Sequence, residues 1–572
     1  MPVKQITTAL GHSIPPEAPH NITFHIPGWD TAKALRRGDP QLLSQLTSIY
    51  PRFGPWCEVR QLSNLLHPLL SLPPSHGLLL FTNPDVLPTT QHYSSSARHR
   101  KPEHLIPPDQ LWFRAIDIPL TLPLPSEQLD GDQTGNGQIV RLYAVAYPLA
   151  HAPGAVGVWQ NYGVGVSSRL AAALIPAVET GEGVEVLGWK GDGVGLGEVP
   201  APTYLPLGEA HRGLKKRIAG LVGGGEEGGY PRGGKKVEEG DVWLYPTGMG
   251  AIYRLHRALV EVRGGGTVVV LGSVFHNTYH LFEEGEGGMK HFGRCDGESG
   301  VMEALEAWLE GEKVAGRRVG YVFVEFPSNP ILVSVDLIRL REVADKYDVP
   351  VVIDDTIGSF CNIDVSPVAD VIITSITKSL SGYANFHNEY FHADAAKLLS
   401  NSTSYHTRSQ TLNHNALTLA TYLHTHALSS PTTSPITAVL YPPFTNTHQN
   451  YTSVMLPPTK EFTPGYGCLL AVEFTSLPVA KAFYDSLSVY HGPHLGAHLT
   501  LAFPFNDAIW GTDPDAAAYL RTYGAKAEQV RVSVGLEGEG ELVDTFKAAL
   551  EVAERVRREE EEEEEGQSKT RV

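Results

Sequence analysis

Two short apolar runs that end in polar residues constrain this chain more than any other feature. The run VVI at 351–353 stops at Asp354-Asp355, and the run VII at 371–373 leads into TSITK at 374–378. Short β-branched runs of this kind are typical of buried parallel strands, whose carboxyl ends face the ligand crevice of an open α/β sheet. One predicted strand therefore ends at an acidic residue, and the next is followed by hydroxyl residues and a lysine.

An acid and a lysine at neighbouring strand ends are the groups that pyridoxal phosphate (PLP) needs. A lysine, here Lys378, holds the cofactor as a Schiff base, and an aspartate, here Asp354, keeps the pyridine nitrogen protonated so that the ring accepts electrons. The hydroxyls of Ser375 and Thr377 suit the phosphate. Taken singly, Lys378 has a plainer interpretation as a surface lysine and Asp354 as a capping residue, but their order after two strands favours a cofactor site.

The composition argues against several other classes of function. The formal net charge of −18 disfavours a general surface for nucleic acid or anionic membrane. The four cysteines are far apart and form no CxxC pair, so we expect neither a disulfide framework nor a zinc site, and we assign the histidines no metal role. No run approaches the ~18–20 apolar residues of a membrane span. We expect a cytoplasmic protein without metal, nucleic acid or membrane partners.

The central stretch resembles the Cys/Met-metabolism PLP-dependent enzymes. IDDT at 353–356 followed by SITK at 375–378 is similar to their VDNT…SxTK pattern, and TKSLSGYAN at 377–385 is similar to the fungal cystathionine γ-synthases. The resemblance implies an α/β protein of the aspartate aminotransferase-like fold (fold type I), with a mostly parallel doubly wound sheet. The alternation of strands and helices from about 240 to 378 agrees with that expectation.

The same resemblance implies further cofactor contacts. Thr247-Gly248-Met249 stands in the place of the family's Ser-Gly-Met, and a glycine turn that opens a helix suits a phosphate. Phe275 occupies the place of the Tyr that stacks on the pyridine ring. Stacking needs only a ring face and is retained, whereas the hydroxyl is lost. Tyr279 and His276 are the candidates to compensate for that hydroxyl.

Two segments resemble the family's substrate-binding residues. EFPSNP at 325–330 matches E-x-P-[ST]-N-P, which implies that Asn329 lies beside the cofactor 3′-oxygen and, with Ser328, near the substrate carboxylate; a plain turn is the other interpretation. RVSVGLE at 531–537 matches R-x-S-x-G-x-E, which implies that Arg531 binds the α-carboxylate. A guanidinium fork is well shaped for that task.

An arm ahead of the PLP domain is implied at VWQNYGVGVSSR, residues 158–169. In the family such an arm gives a Tyr and an Arg to the neighbouring subunit's phosphate. Arg169 is the candidate arginine, although this segment has no Tyr-x-Arg triplet. A surface arginine at a helix start is the alternative.

The chain divides into four predicted regions. The first is proline-rich and resembles the N-terminal extension of fungal cystathionine γ-synthases; its role is unknown, and it contains one amphipathic stretch, Pro40 to Tyr50. Glycine-rich stretches at 191–197 and 223–240 are predicted loops rather than nucleotide sites. The regions are an N-terminal domain at 1–150, a PLP-binding large domain at 151–425, a C-terminal small domain at 426–556 and an acidic, disordered tail at 557–572.

The long extension and the SGYAN segment imply a cystathionine γ-synthase. Such an enzyme replaces the acyl group of O-acetyl- or O-succinylhomoserine with cysteine, which gives cystathionine for transsulfuration and methionine biosynthesis. The family resemblance also implies a homotetramer. A cystathionine lyase, a homoserine sulfhydrylase and a non-catalytic PLP-fold regulatory protein remain alternatives, because they share the matched segments.

Overall fold

The structure, a computed structural model, describes residues 5–16, 18–96, 102–120, 138–188, 196, 198–203, 205, 207–223, 237–285, 287–383 and 391–570. The glycine-rich stretches predicted as loops lie largely outside these residues, as do Ala384 and Asn385 of the SGYAN segment. No helix in the described ranges is long and apolar enough to cross a bilayer.

The strands and helices of these ranges alternate along most of the chain. The strands are β1 His76–Phe81, β2 Trp112–Leu120, β3 Gln138–Pro148, β4 Glu185–Leu187, β5 Thr267–Leu271, β6 Met289–Phe292, β7 Val319–Glu325, β8 Val351–Asp354, β9 Val371–Ile373, β10 Ile436–Leu440, β11 Leu469–Phe474, β12 Tyr490–His491, β13 Leu501–Phe503 and β14 Gln529–Ser533. The helices are α1 Trp29–Arg36, α2 Pro40–Ser44, α3 Cys57–Leu69, α4 Val86–Ser95, α5 Ala152–Tyr162, α6 Ser168–Thr180, α7 Glu209–Gly223, α8 Gly248–Val262, α9 His276–Glu284, α10 Val301–Val314, α11 Leu337–Tyr347, α12 His392–Asn401, α13 Tyr405–Ser429, α14 His448–Thr452, α15 Leu477–Ser486, α16 Phe505–Ile509, α17 Pro514–Arg521 and α18 Glu539–Thr570.

A parallel five-stranded sheet of order β6-β5-β7-β8-β9 forms the centre of the protein. Alternate residues of one strand enter different cores: Val268 and Val270 pack with α8, whereas Val269 and Leu271 pack with α10 and α11. Because successive strand side chains point to opposite faces, both faces of this sheet are covered. The predicted doubly wound sheet is confirmed, and the polar residues after β8 and β9 lie at its carboxyl edge.

A second five-stranded sheet, of order β10-β11-β14-β13-β12, forms the smaller C-terminal domain. Its pairings are antiparallel except that between β12 and β13. Helices α13, α15 and α18 share its hydrophobic core. The prediction of a disordered tail is wrong for the glutamate run, because α18 continues through it. Arg557 pairs with Glu561 one turn on at 2.9 Å, and Ser476 donates to Glu560.

The N-terminal region forms an antiparallel sheet of order β1-β3-β2-β4 that packs against α3 and α6. Since β4 pairs with β2, this unit extends to Leu187 and the predicted boundary at residue 150 falls inside it. The region is also joined to the C-terminal domain. Trp29 lies in the core of that domain and donates from Nε1 to Asp507 at 2.8 Å.

The predicted amphipathic helix from Pro40 to Tyr50 is shorter than expected. It ends at Ser44, where α2 stops, and the chain then turns through residues 50–54 before α3 begins. A hydrogen bond from Phe53 N to Tyr50 O, of 2.8 Å, closes this turn. The irregular path brings Tyr50 and Arg52 toward the carboxyl edge of the parallel sheet.

Candidate active site

One cavity lies where the carboxyl edge of the parallel sheet meets the C-terminal domain and the N-terminal turn. Most of the predicted site residues line it. The lining consists of Ile22, Tyr50, Pro51, Arg52, Thr247, Gly248, Met249, Ile252, Phe275, Thr278, Glu325, Pro327, Asn329, Asp354, Thr356, Ile357, Ser375, Thr377, Lys378, Pro493, Leu495 and Arg531.

Asp354, at the end of β8, is a buried carboxylate in this cavity. Burial raises its pKa to about 6, although the Thr356 backbone N–H donates to its Oδ1 at 3.0 Å. Glu325, at the end of the adjacent β7, accepts a 2.7 Å hydrogen bond from Phe275 N. Burial and the neighbouring Asp354 raise the pKa of Glu325 well above its usual range. A cationic ligand would therefore favour the ionised form of Asp354.

The start of α8 and the segment after β9 form a polar cradle. A Cβ at Gly248 would lie 2.9 Å from both Cβ and Oγ of Ser375, so only glycine permits this close approach. Ser375 and Thr377 hold their hydroxyls 3.0 Å apart. The positive end of the α8 dipole and two hydroxyls together suit a phosphate.

Thr247 has a different part from the one implied by its alignment with the family serine. Its Oγ1 accepts from Gly250 N at 2.8 Å and donates to Gly163 O at 2.9 Å. The hydroxyl thus caps α8 and ties it to the residue after α5. Thr247 lines the cavity, but both hydrogen bonds of its hydroxyl are to backbone groups.

Lys378 contacts two rings from other parts of the chain. Its Nζ donates to Tyr50 Oη at 3.0 Å and lies 3.3 Å from His494 Nδ1. The same ammonium lies 5.1 Å from the centre of the Tyr50 ring. Lys378 is thus held at the cavity by the N-terminal turn and by the C-terminal domain, rather than projecting into solvent.

Arg531, on β14 of the C-terminal sheet, is a buried guanidinium that lines the same cavity. It donates to Asn329 Oδ1 at 3.2 Å and to Pro493 O at 2.5 Å, and its Cζ lies 4.3 Å from the centre of the Phe505 ring. Burial lowers its pKa to about 10. The contact with Asn329 joins the two residues that the sequence predicts for substrate binding.

Tyr50 and Arg52 are site residues that the sequence interpretation missed. Arg52 is buried and donates to Gln160 O, and in the described ranges it has no carboxylate within ion-pair distance. Burial lowers its pKa to about 10. A buried cation on a cavity wall is costly unless an anion compensates it. The sequence does contain a signal for these two residues, because the Tyr-x-Arg triplet that is absent before Arg169 occurs at residues 50–52.

Two predicted site residues do not reach this cavity. Ser328 is fully buried, and its Oγ accepts from Val333 N at 3.1 Å, so it stabilises the turn after β7. Arg169, near the start of α6, forms a 3.2 Å ion pair with the buried Asp394, which also accepts from Ser167 Oγ. Both side chains are used inside the fold of their own chain. The predicted arm to a neighbouring subunit stays a prediction.

The donor set fits PLP. The cavity combines a lysine, a buried carboxylate at a strand end, a polar cradle at a helix start and two buried guanidiniums, which together match an aldehyde, a pyridinium and a phosphate. Among the residues that the structure describes, no cluster of His, Cys, Asp and Glu could hold a metal ion.

Comparisons with known proteins agree with this chemistry. Residues 235–389 match the family described as Cys/Met metabolism PLP-dependent enzyme. The chain is 30% identical over 617 aligned positions to the cystathionine gamma-synthase-like enzyme iboG1 of Amanita muscaria, with 95% of this chain and 98% of that protein covered. It is 32% identical to the cystathionine gamma-synthase of Neurospora crassa over 60% of this chain and 59% of that protein. It is 29% identical to the alanine racemase ungC of Aspergillus violaceofuscus over 96% and 97% of the two chains.

Proposed function

Because the chain belongs to the Cys/Met metabolism PLP-dependent enzyme family, we propose that it catalyses γ-replacement on an O-acylhomoserine, with cysteine as the incoming thiol. The product is cystathionine. The observation that carries the proposal is the presence of Lys378, Asp354 and Arg531 on the wall of one cavity. The names of the relatives from Amanita muscaria and Neurospora crassa support this choice of reaction.

The residues divide the work between binding and proton transfer. When bound, PLP withdraws electrons from the substrate carbon that it activates. Arg531, positioned by Asn329, takes the substrate α-carboxylate. Lys378 Nζ removes one proton from Cα and one from Cβ, so that the acyl group leaves Cγ as a carboxylate; the cysteine sulfur then bonds to Cγ as the thiol gives up its proton, and protons return to Cβ and Cα.

Other groups of the cavity orient the cofactor. Asp354 would face the pyridine nitrogen, Phe275 would stack on the ring, and the start of α8 with Ser375 and Thr377 would hold the phosphate. Ile22, Ile252 and Leu495 give the cavity an apolar part of its lining, which would limit the access of water to the reacting atoms once the ligands are bound.

A second candidate is proton exchange at Cα without γ-replacement. The alanine racemase relative, which aligns along nearly the whole chain, favours it. Both reactions begin when a base removes the Cα proton, so the same Lys378 serves either one. They differ in whether the substrate carries a leaving group at Cγ.

Substrate panels separate these reactions. Purified protein with PLP is given O-acetyl- or O-succinylhomoserine with cysteine, the same esters with sulfide, cystathionine alone, and L-alanine. We expect cystathionine from one of the two esters, identified by mass spectrometry, and none from the Lys378→Ala variant. Conversion of L- to D-alanine without any cystathionine would replace the proposal with racemisation, and cleavage of cystathionine would replace it with a lyase. A homo-oligomer, which belongs to the same proposal, is checked by light scattering.

A further inference from the structure

The carboxyl group of Glu325 connects the end of a central strand to the ring that faces the cofactor site. Glu325 is the last residue of β7; it is buried, and it lines the cavity beside Asp354, its partner across the sheet. Its Oε1 accepts a 2.7 Å hydrogen bond from the backbone N of Phe275. Burying a carboxyl costs free energy, so a buried carboxyl on a cavity wall indicates a task for it.

The segment between β5 and α9, which carries Phe275, belongs to no regular element, so its path depends largely on bonds that involve side chains. Two such bonds attach it to the chain at and after the end of β7. Ser273 Oγ donates to Asn329 O at 2.8 Å, and Phe275 N donates to Glu325. The Asn329 side chain also accepts from Arg531 at 3.2 Å. The Phe275 ring and the proposed substrate-binding guanidinium are therefore both attached to the chain that follows β7.

The Phe275 ring has no polar group of its own that could set its orientation. The two residues that the sequence suggested as substitutes for a hydroxyl face elsewhere. The rings of Tyr279 and His276 pack on Trp510, with centres 5.8 and 5.3 Å from it, and neither residue lines the cavity. The orientation of the Phe275 ring therefore follows from its backbone. Among the described residues, the group that accepts from this backbone N–H is the Glu325 carboxyl.

The surroundings of this carboxyl favour its neutral form. Burial and the nearby Asp354 raise the pKa of Glu325 well above its usual range, and the opposite effects of the Phe275 N–H and of Arg531 are smaller. A neutral carboxyl still accepts from Phe275 N through its carbonyl oxygen, and it adds no negative charge beside Asp354. Glu325 can therefore act as a hydrogen-bond acceptor without competing with Asp354 for a cationic ligand.

We infer that Glu325 is a positioning residue, whose bond to Phe275 N fixes the angle at which the Phe275 ring meets the plane of the cofactor. Two flat rings gain most from stacking when they are parallel and offset, so the angle matters as well as the contact. Loss of the bond leaves the Phe275 N–H without its acceptor and frees the segment to move. The inference rests on the PLP site of the proposed function but not on the choice of substrate.

Two substitutions of Glu325 separate the hydrogen bond from the ionisable group. Glu325→Gln keeps the length of the side chain and an acceptor oxygen but cannot ionise, whereas Glu325→Met has a similar volume and only a weak acceptor. Glu325→Asp, which shortens the reach toward Phe275 N, replaces Glu325→Met if that variant is unfolded. Asp370→Leu is the matched control: Asp370 accepts from Val351 N at 2.7 Å, at the amino end of β8 and outside the cavity.

The first measurement is hydrogen–deuterium exchange at the Phe275 amide of the full, cofactor-free chain, so that a failure of γ-replacement leaves the test intact. We expect this amide to exchange at least ~10-fold faster in Glu325→Met, because its acceptor is lost, and to stay within about threefold of wild type in Glu325→Gln and Asp370→Leu. Equal protection in Glu325→Met and wild type would overturn the inference. Thermal melting of each variant verifies that it is folded.

The second measurement is the circular dichroism that PLP acquires in its visible band when it binds. A ring held at a fixed angle gives the cofactor a chiral environment, so we expect the signal per bound PLP to fall roughly twofold or more in Glu325→Met, and the affinity for PLP to fall about 3- to 10-fold. Glu325→Gln should keep both values near those of wild type. A Glu325→Met signal equal to wild type, or a Glu325→Gln signal as low as that of Glu325→Met, would show that this hydrogen bond does not orient the ring.

Discussion

The carboxyl edge of the parallel sheet and the turn at Tyr50–Arg52 meet at one cavity, but they are held in different ways. The edge is held by backbone hydrogen bonds. Strands β7, β8 and β9 pair in parallel up to Asp354, and the segment that leads to Lys378 follows β9. The turn rests on side chains, mainly the bond from Arg52 to Gln160 and the packing of Phe53 on Phe24.

This difference assigns different tasks to the two regions. A ladder fixes Cα positions whatever the side chains are, so the edge can hold Asp354 at a constant distance from the end of β9, where the segment that leads to Lys378 begins. The turn adds two buried groups, Tyr50 and Arg52; Lys378 and the nearby arginines lower the pKa of Tyr50, and burial lowers that of Arg52. The comparison predicts that changes at the edge remove the chemistry, whereas changes at the turn alter its rate and pH dependence.

The largest effect is expected at the edge. Lys378→Ala should abolish the lysine-linked absorbance of PLP and lower turnover at least ~1000-fold, because both nucleophile and base are lost. Lys547→Ala, an exposed lysine on α18, is the control and should match wild type. Full turnover in Lys378→Ala would show that the edge does not carry the reaction.

A smaller effect is expected at the substrate side of the edge. Arg531→Lys keeps the charge but loses the planar fork, so kcat/KM for the amino-acid substrate should fall about 100-fold while the affinity for PLP stays nearly constant. Arg521→Lys, half-exposed on α17, is the matched control. A loss of PLP affinity equal to the loss of kcat/KM would place Arg531 at the cofactor instead of the substrate.

The contrast between the two regions also explains what the sequence could predict. The runs at 351–353 and 371–373 carry their strand type and their functional ends in consecutive residues, so the sheet, Asp354 and Lys378 follow from local patterns. Asn329 and Arg531 were found by resemblance and lie in contact. Tyr50 could not be placed in this way, because its proximity to Lys378 depends on where an irregular turn packs.

The errors in the sequence prediction, at Ser328 and at the domain boundary, also come from contacts that local sequence patterns do not encode. Ser328 lies beside a true cavity residue in sequence, but alternate side chains in a turn face different ways, and its hydroxyl bonds Val333 N. The boundary at 150 was set too early because β4 is only three residues long and joins β2 from a distance in sequence. Short, non-local pairings leave little periodic signal.

Substitution of Arg169 distinguishes two roles for this side chain: cofactor binding through the predicted arm, and the ion pair with Asp394. Arg169→Ala removes the cation beside Asp394, a carboxyl whose pKa burial raises to about 8. At pH 9, where this carboxyl is ionised, we therefore expect a loss of about 2 kcal/mol in the free energy of unfolding. The affinity for PLP should change less than about threefold. Adding Asp394→Asn should recover part of the stability, since no buried charge is then left. Weaker PLP binding with unchanged unfolding would instead support the arm.

The last prediction concerns the cost in stability of burying the Asp354 carboxyl at the sheet edge. Burial raises the pKa of Asp354 from 3.8 to about 6. An acid whose pKa is higher in the folded state destabilises that state once it ionises. The penalty is absent below about pH 3, grows as the pH rises through the interval between the two pKa values and is complete above about pH 7; its size is on the order of 3 kcal/mol.

Asp354→Asn should therefore raise the melting temperature of the cofactor-free chain by a few degrees at pH 7.5 and leave it unchanged near pH 3.

The same variant should bind PLP about 10- to 100-fold more weakly, because a charge-assisted bond to the pyridine nitrogen is lost. Wild-type affinity should fall below pH 6, where binding has to release the Asp354 proton, and this slope should vanish in the variant. Asp348→Asn, an exposed residue at the end of α11, controls for loss of charge. If the cofactor-free Asp354→Asn chain instead melts below wild type at pH 7.5, the Asp354 carboxylate stabilises the sheet edge. The proposed difference between the sheet edge and the turn would then be wrong.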